Sequence, residues 1–127
     1  NNITIEPMIL YLSAIFWTLG YDTIYGLQDI RDDEVIGVKS TSIKFKKNPK
    51  VFVGSCYCLC VFFILIMFLM MGVNKYLFLF SIPFVISFVY QVKIFNMNNS
   101  KSCLKAFKMN NLSGLLIFIF IFSFNIL

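Results

Sequence analysis

The sequence predicts an all-α, polytopic transmembrane bundle of about four spans, and three observations carry that expectation. The composition is 59% hydrophobic and only 13% charged, with 16 phenylalanines and a mean hydropathy of +0.82, whereas soluble domains are about 25% charged. Uncharged apolar runs recur along the chain, the longest covering 23 residues at 51–73, enough to cross a hydrocarbon core about 30 Å thick. Ten of the eleven basic residues fall between alternate runs and leave Lys75 alone on the other side, which is the asymmetry of a polytopic membrane protein. At 127 residues the chain is one domain by length.

Taken in order, residues 1–6 alternate polar and apolar and read as a loop or interfacial lead-in. Pro7 is placed to open a helix. Residues 8–20 carry no charge, and with Pro7 and Tyr21 they make fifteen, short of the ~20 a span needs. The first span is therefore placed at about 7–27, continuing through Asp22, which it carries to one mouth of the bundle. Trp17 and Tyr21 near that end fit either an interfacial aromatic belt or packing inside the bundle. Gly37 reads as a break into a polar loop that ends where Pro49 starts the next helix, and the second span is 51–73. The third, at about 76–95, contains Pro83, so a kink is expected rather than a break. A polar connector follows, in which Lys101, Lys105 and Lys108 recur at helical spacing as a basic face. Begun at Leu104, the last span runs 104–127 with lysines snorkelling at its foot.

Cys56, Cys58 and Cys60 alternate inside the second span. On a helix Cys56 and Cys60 share a face while Cys58 points elsewhere, so with Cys103 they read as small apolar residues rather than metal ligands or a disulfide. Histidine is absent, which removes His-metal sites and Ser-His-Asp catalysis. The chain starts at Asn1 and no signal peptide precedes the first run, so a piece of something longer is expected.

The informative stretch is 21–41, YDTIYGLQDIRDDEVIGVKST. It holds five of the six acidic residues, Asp22, Asp29, Asp32, Asp33 and Glu34, and is followed by Lys44, Lys46, Lys47 and Lys50. Carboxylates and cations side by side suggest a site for a cation and an anion together, and a metal-bound phosphate ester at a membrane surface is the natural candidate. If the stretch is helical, Asp22, Asp29 and Asp33 fall at i, i+7 and i+11 and share one face, with Tyr25 between the first two. Asp29 and Asp33 then repel each other one turn apart, and Mg²⁺, which takes one or two carboxylates plus substrate phosphates, would offset the repulsion. A solvated acidic turn at a helix end accounts for the same spacing. Arg31 and Lys39 are candidate diphosphate contacts, although Arg31 could instead pair with Asp32 or Glu34. The lysines at 44, 46, 47 and 50 read as topology determinants facing anionic membrane lipid, and no nucleic-acid partner is expected. Tyr25 and Tyr21 could hold their ring faces to a carbocation or simply pack. The basic-residue asymmetry places the acidic stretch in the cytoplasm and both chain ends outside.

Residues 20–45, GYDTIYGLQDIRDDEVIGVKSTSIKF, resemble the second aspartate-rich motif of the membrane-embedded aromatic prenyltransferases, most closely the 4-hydroxybenzoate polyprenyltransferases of ubiquinone synthesis. The segment CLKAFKMNNLSGLL, from Cys103, is similar to the last helix of the same family. The resemblance implies a nine-span helical bundle in the complete enzyme, located in a bacterial inner membrane, with two aspartate-rich motifs facing one cavity. It implies Mg²⁺ bridging those motifs to the diphosphate of a polyprenyl diphosphate donor. Ionisation leaves an allylic cation, which 4-hydroxybenzoate attacks through the carbon ortho to its hydroxyl. Carried over, Asp29 and Asp33 are the DxxxD metal ligands, Asp22 a supporting acid on the same face, and Lys39 and Arg31 diphosphate contacts; Tyr25 is a catalytic candidate from its place beside the aspartates alone. The family's first motif, of the NxxxDxxxD kind, is not in these 127 residues. The chain is therefore expected to be the C-terminal part of such an enzyme, lacking the N-terminal half and inactive alone, whether split or decayed. Two other readings stay open: a different aromatic acceptor, such as a naphthoate or homogentisate, and a non-catalytic membrane protein such as a cation-binding transporter fragment.

Overall fold

The computed structural model describes residues 3–126. Residues 1 and 2 of the lead-in and Leu127 of the last span lie outside the described residues. The chain is all helical, with seven α-helices, one 3-10 helix and no strand among the described residues. The α-helices are α1 (Ile5–Leu27), α2 (Ile30–Ile36), α3 (Thr41–Lys44), α4 (Pro49–Met70), α5 (Ile82–Ile94), α6 (Ser100–Lys108) and α7 (Asn110–Ile126), and the 3-10 helix is Lys75–Ser81. Three stretches are long and apolar enough to cross a membrane: Pro49–Met70, Lys75–Ile94 and Ser100–Phe124. The 23-residue α1 is also long enough, but Glu6, Asp22 and two threonines make it less apolar than these three.

The boundaries move from their expected places for local reasons. α1 starts inside the lead-in, so Ile5 and Glu6 are helical, and it runs to Leu27 as expected. Pro49 does open α4, but α4 stops at Met70, three residues before the expected end. There Gly72 adopts φ 69° and the amides of Gly72 and Val73 turn back to the carbonyls of Leu69 and Phe68, a glycine-terminated helix stop. Pro83 stands in the first turn of α5 after the 3-10 helix, so it marks a change of helix type rather than a kink inside one helix. The polar connector is shorter than expected, because Asn99 accepts hydrogen bonds from the amides of Lys101 and Ser102 and starts α6 at Ser100. Lys101, Lys105 and Lys108 do form an exposed face, opposite the buried Cys103 and Ala106.

α1 packs chiefly against α4 and runs antiparallel to it, since Ser13 meets Cys60 and Gly20 meets Tyr57. The Ser13 hydroxyl donates to the Cys60 carbonyl at 2.9 Å. Cys56 and Cys60 are buried and Cys58 is exposed, as helical spacing requires. Aromatic rings join the remaining helices: Phe88 stacks on Tyr57 at 4.4 Å, and Phe84 and Phe68 both meet Phe120. The phenylalanines thus divide, with Phe68, Phe84, Phe88 and Phe120 inside and Phe62, Phe80, Phe118 and Phe122 outside. Trp17 packs within the bundle and donates to Asn110 Oδ1 at 3.2 Å.

A polar network crosses this apolar interior. Tyr57 donates to Gln91 Oε1 at 2.7 Å, Gln91 Nε2 donates to Ser113 Oγ at 2.6 Å, and Ser113 and Ser87 share a hydrogen bond at 2.8 Å. All four residues are buried, and interhelical bonds of this kind hold membrane helices together at ~0.6–2 kcal/mol each. Tyr57→Phe leaves Gln91 Oε1 without its donor and is expected to cost about 1 kcal/mol. A denaturation midpoint in mixed micelles checks this, and an unchanged midpoint would show that the network adds nothing to stability.

Candidate functional site

The acidic stretch lies at one end of the bundle, where α1 ends and α4 begins, beside the turn joining α5 to α6. It is not one helix. Gln28 keeps right-handed helical dihedrals as the C-cap of α1, and the chain leaves helical geometry at Asp29, which takes φ −115° and ψ 21° and stands at the N-cap of α2. Asp disfavours helix interiors and favours such positions. The expected common face of Asp22, Asp29 and Asp33 is therefore interrupted: Asp22 stays on α1, and only Asp29 and Asp33 remain helical neighbours. The Asp33 amide donates to the Asp29 carbonyl at 3.0 Å, closing the first turn of α2. The Asp29 carboxylate caps no amide and is exposed, as are Asp22 and Asp32, while Asp33 is half-buried.

Gly37 ends α2 with φ 78°. The amides of Gly37 and Val38 turn back to the carbonyls of Glu34 and Asp33, a stop that the left-handed conformation of glycine permits at no steric cost. The expected break is there, and Lys39 follows it in the open. The loop beyond is not wholly irregular, since Ser40 Oγ accepts from the Ile43 amide and caps the one-turn α3. That turn is fastened to α1. Ser42 Oγ donates to the Thr23 carbonyl at 2.8 Å, and Thr23 and Thr41 hydroxyls bond at 2.7 Å. Thr23 and Ser42 are buried, and a Cβ on Gly26 would overlap Ser42 Oγ. Gly26, Thr23 and Ser42 thus hold the segment carrying Lys39 against the helix carrying Asp22. Sequence reasoning missed these contacts, which join residues 16 to 19 positions apart and leave no local signal.

Asp29, Arg31 and Asp32 line a pocket of about 240 Å³, together with Leu27, Gln28, Ile30, Met97, Asn98 and Ser100. Gln28 Oε1 is buried there and accepts no hydrogen bond among the described residues. An adjoining pocket of about 360 Å³ runs past Arg31 and Glu34 to Lys46 and Lys47, so carboxylates pass into cations along one rim. Lys46 pairs with Glu34. Arg31 makes no ion pair among the described residues, so the alternative pairing with Asp32 or Glu34 is not formed and its guanidinium is free for a ligand. Tyr25 does not line these pockets; its ring packs on Phe107 at 4.8 Å and is 45% exposed. Among the described residues no three Asp, Glu, Cys or His side chains converge on a metal position by themselves. The donor set still suits Mg²⁺, because it offers only carboxylate oxygens, and that ion takes one or two of them and completes its shell with phosphate and water.

The UbiA prenyltransferase family model matches residues 1–113. Over 113 residues the chain is 39% identical to a 4-hydroxybenzoate octaprenyltransferase of Blochmanniella floridana, covering 87% of this chain and 39% of that protein. It is 34% identical over 119 residues to the protein of the same name in Sodalis glossinidius (strain morsitans), covering 94% of this chain and 41% of that one. A mitochondrial 4-hydroxybenzoate polyprenyltransferase of Dictyostelium discoideum is 34% identical over 106 residues, 84% of this chain and 23% of that one. The chain therefore spans less than half the length of these relatives. No solved structure matches it.

Proposed function

Because the chain belongs to the UbiA prenyltransferase family, we propose that it supplies the C-terminal part of an enzyme transferring a polyprenyl group from polyprenyl diphosphate to 4-hydroxybenzoate, in ubiquinone synthesis. The observation that carries this reading is the pocket where Asp29, Arg31 and Asp32 meet at the break between α1 and α2. Asp29 in its lining and Asp33, one turn along α2 and outside that lining, would hold Mg²⁺, with Asp22 as a supporting acid near the end of α1. When bound, Mg²⁺ supplies positive charge that makes the diphosphate a better leaving group. Arg31, free of protein carboxylates, grips phosphate oxygens in the bidentate way its planar fork allows. Lys39 adds a point charge from the loop that Ser42 anchors. Tyr25 packs on Phe107 outside these pockets, and its 45% exposure leaves ring surface that a cationic prenyl carbon could meet in the complete enzyme. The stretch faces the cytoplasm of a bacterial inner membrane, and the chain is inactive without the N-terminal half that carries the other aspartate-rich motif.

The test joins this chain to the N-terminal part of the Blochmanniella floridana relative and assays membranes for prenyl transfer with Mg²⁺ or with a chelator. Metal-dependent product from 4-hydroxybenzoate, and none from the chain alone, is expected. Product only from a naphthoate or homogentisate would replace the acceptor, and no product from any acceptor would leave the cation-transport reading in its place. In the same assay Lys39→Ala is expected to raise the KM for the donor by about tenfold, as loss of a charged hydrogen bond does, while the KM for the acceptor stays within twofold. Equal effects on both would make Lys39 a structural residue.

A further inference from the structure

On the far side of α4 from α1's acidic end, a groove of about 470 Å³ runs between α4 and α5, inside the ~300–1,000 Å³ range of ligand clefts. Its walls include Gly54, Cys58, Phe62, Val85 and Val89, and its one charged wall residue is Lys93. Phe62 and Val89 are 54% and 49% exposed, so no part of the described chain covers it. Gly54 has no packing reason to be glycine. A Cβ there meets nothing within 4 Å, and its backbone is ordinary helix, where glycine costs about 1 kcal/mol against alanine. What glycine does provide is depth in the groove.

The charge at one end says what fills it. Lys93 closes α5, and Lys50 in the first turn of α4 donates from Nζ to the Lys93 carbonyl at 3.1 Å. Neither ammonium pairs with a carboxylate among the described residues; that of Lys50 lies just beyond the groove's lining, over the Phe95 ring at 5.5 Å, and the unbonded amides at the start of α4 add positive potential at the same level. Gly54, Cys58 and Phe62 follow one another along α4 away from that end for about 12 Å. We propose that the groove holds an acyl chain of an anionic phospholipid, with its phosphate at Lys50 and Lys93. The chain lies along the valine and phenylalanine walls, and the head group replaces the missing counter-ions at the membrane surface. This site is separate from the acidic stretch and does not depend on the transferase reading.

The purified chain, reconstituted in nanodiscs of phosphatidylcholine with a minor share of phosphatidylglycerol, is released and its retained lipids are counted by native mass spectrometry. Phosphatidylglycerol is expected to be retained in preference to phosphatidylcholine. Lys50→Gln and Lys93→Gln should each weaken that preference by about fivefold, and Gly54→Leu should abolish it while helicity by circular dichroism stays unchanged. Equal retention of the two lipids or undiminished retention in Gly54→Leu would overturn the proposal. Cross-linking of two chains through Cys58 would do so as well, by assigning the groove to a second copy.

Discussion

Replacing Asp29 or Asp33 by alanine, in the chain joined to a relative's N-terminal part, is expected to lower prenyl transfer by about 10²–10³-fold or more. The two carboxylates stand one turn apart at the start of α2, and neither makes an ion pair among the described residues. On the proposed reading, losing either would take from the metal one of its two carboxylate ligands, a deficit felt most when negative charge develops on the leaving diphosphate. Stability should barely change, because Asp29 is exposed and caps no amide, and the half-buried Asp33 makes no ion pair among the described residues; substitutions of such residues usually stay within ±0.5 kcal/mol. Amount in the membrane and denaturation midpoint therefore separate chemistry from folding. Rates near wild type in both variants would mean that these carboxylates are solvated ends of a helix.

Gly20→Leu is expected to have the largest effect on folding. A Cβ at Gly20 comes within 2.5 Å of Tyr57 Cε1 and 2.8 Å of Cδ1. That ring cannot swing aside cheaply, since it stacks on Phe88 and its hydroxyl is committed to Gln91. Small residues let membrane helices approach closely, and overpacking of this kind costs about 1–3 kcal/mol even for a methyl group. Alanine should lower the denaturation midpoint, and leucine should separate α1 from α4. Gly54→Ala is the control, with open space around its Cβ and an expected change of zero or slight stabilisation. If Gly20 and Gly54 respond alike, the α1–α4 contact does not hold the bundle.

Much of the architecture was legible because hydropathy and helix signals act locally. The uncharged run at 51–73, Pro49 before it, the αL stop at Gly37 and the basic face of α6 all follow from neighbouring residues. The stops at Gly72 and the caps at Ser40 and Asn99 were equally local but were hidden inside segments that read as continuous spans or loops. The break at Gln28–Asp29 was missed because a face argument presumes one helix axis, and the stretch changes axis between Asp22 and Asp29. The contacts of Thr23, Gly26 and Ser42, and the network of Tyr57, Gln91 and Ser113, join residues 16 to 34 positions apart, which no periodicity encodes. Tyr25 and Tyr21 remained open between cation and packing roles in the sequence, and the structure gives both a packing partner in Phe107.

The central claim is that Asp29 and Asp33 hold a divalent cation through a bound diphosphate. Electron paramagnetic resonance of Mn²⁺, substituting for Mg²⁺, tests it most directly in the joined protein titrated with pyrophosphate. The account predicts that bound Mn²⁺ appears with pyrophosphate, is weak without it, and is lost in Asp29→Asn and Asp33→Asn. Mn²⁺ bound equally with and without pyrophosphate, or unaffected by either substitution, would contradict it.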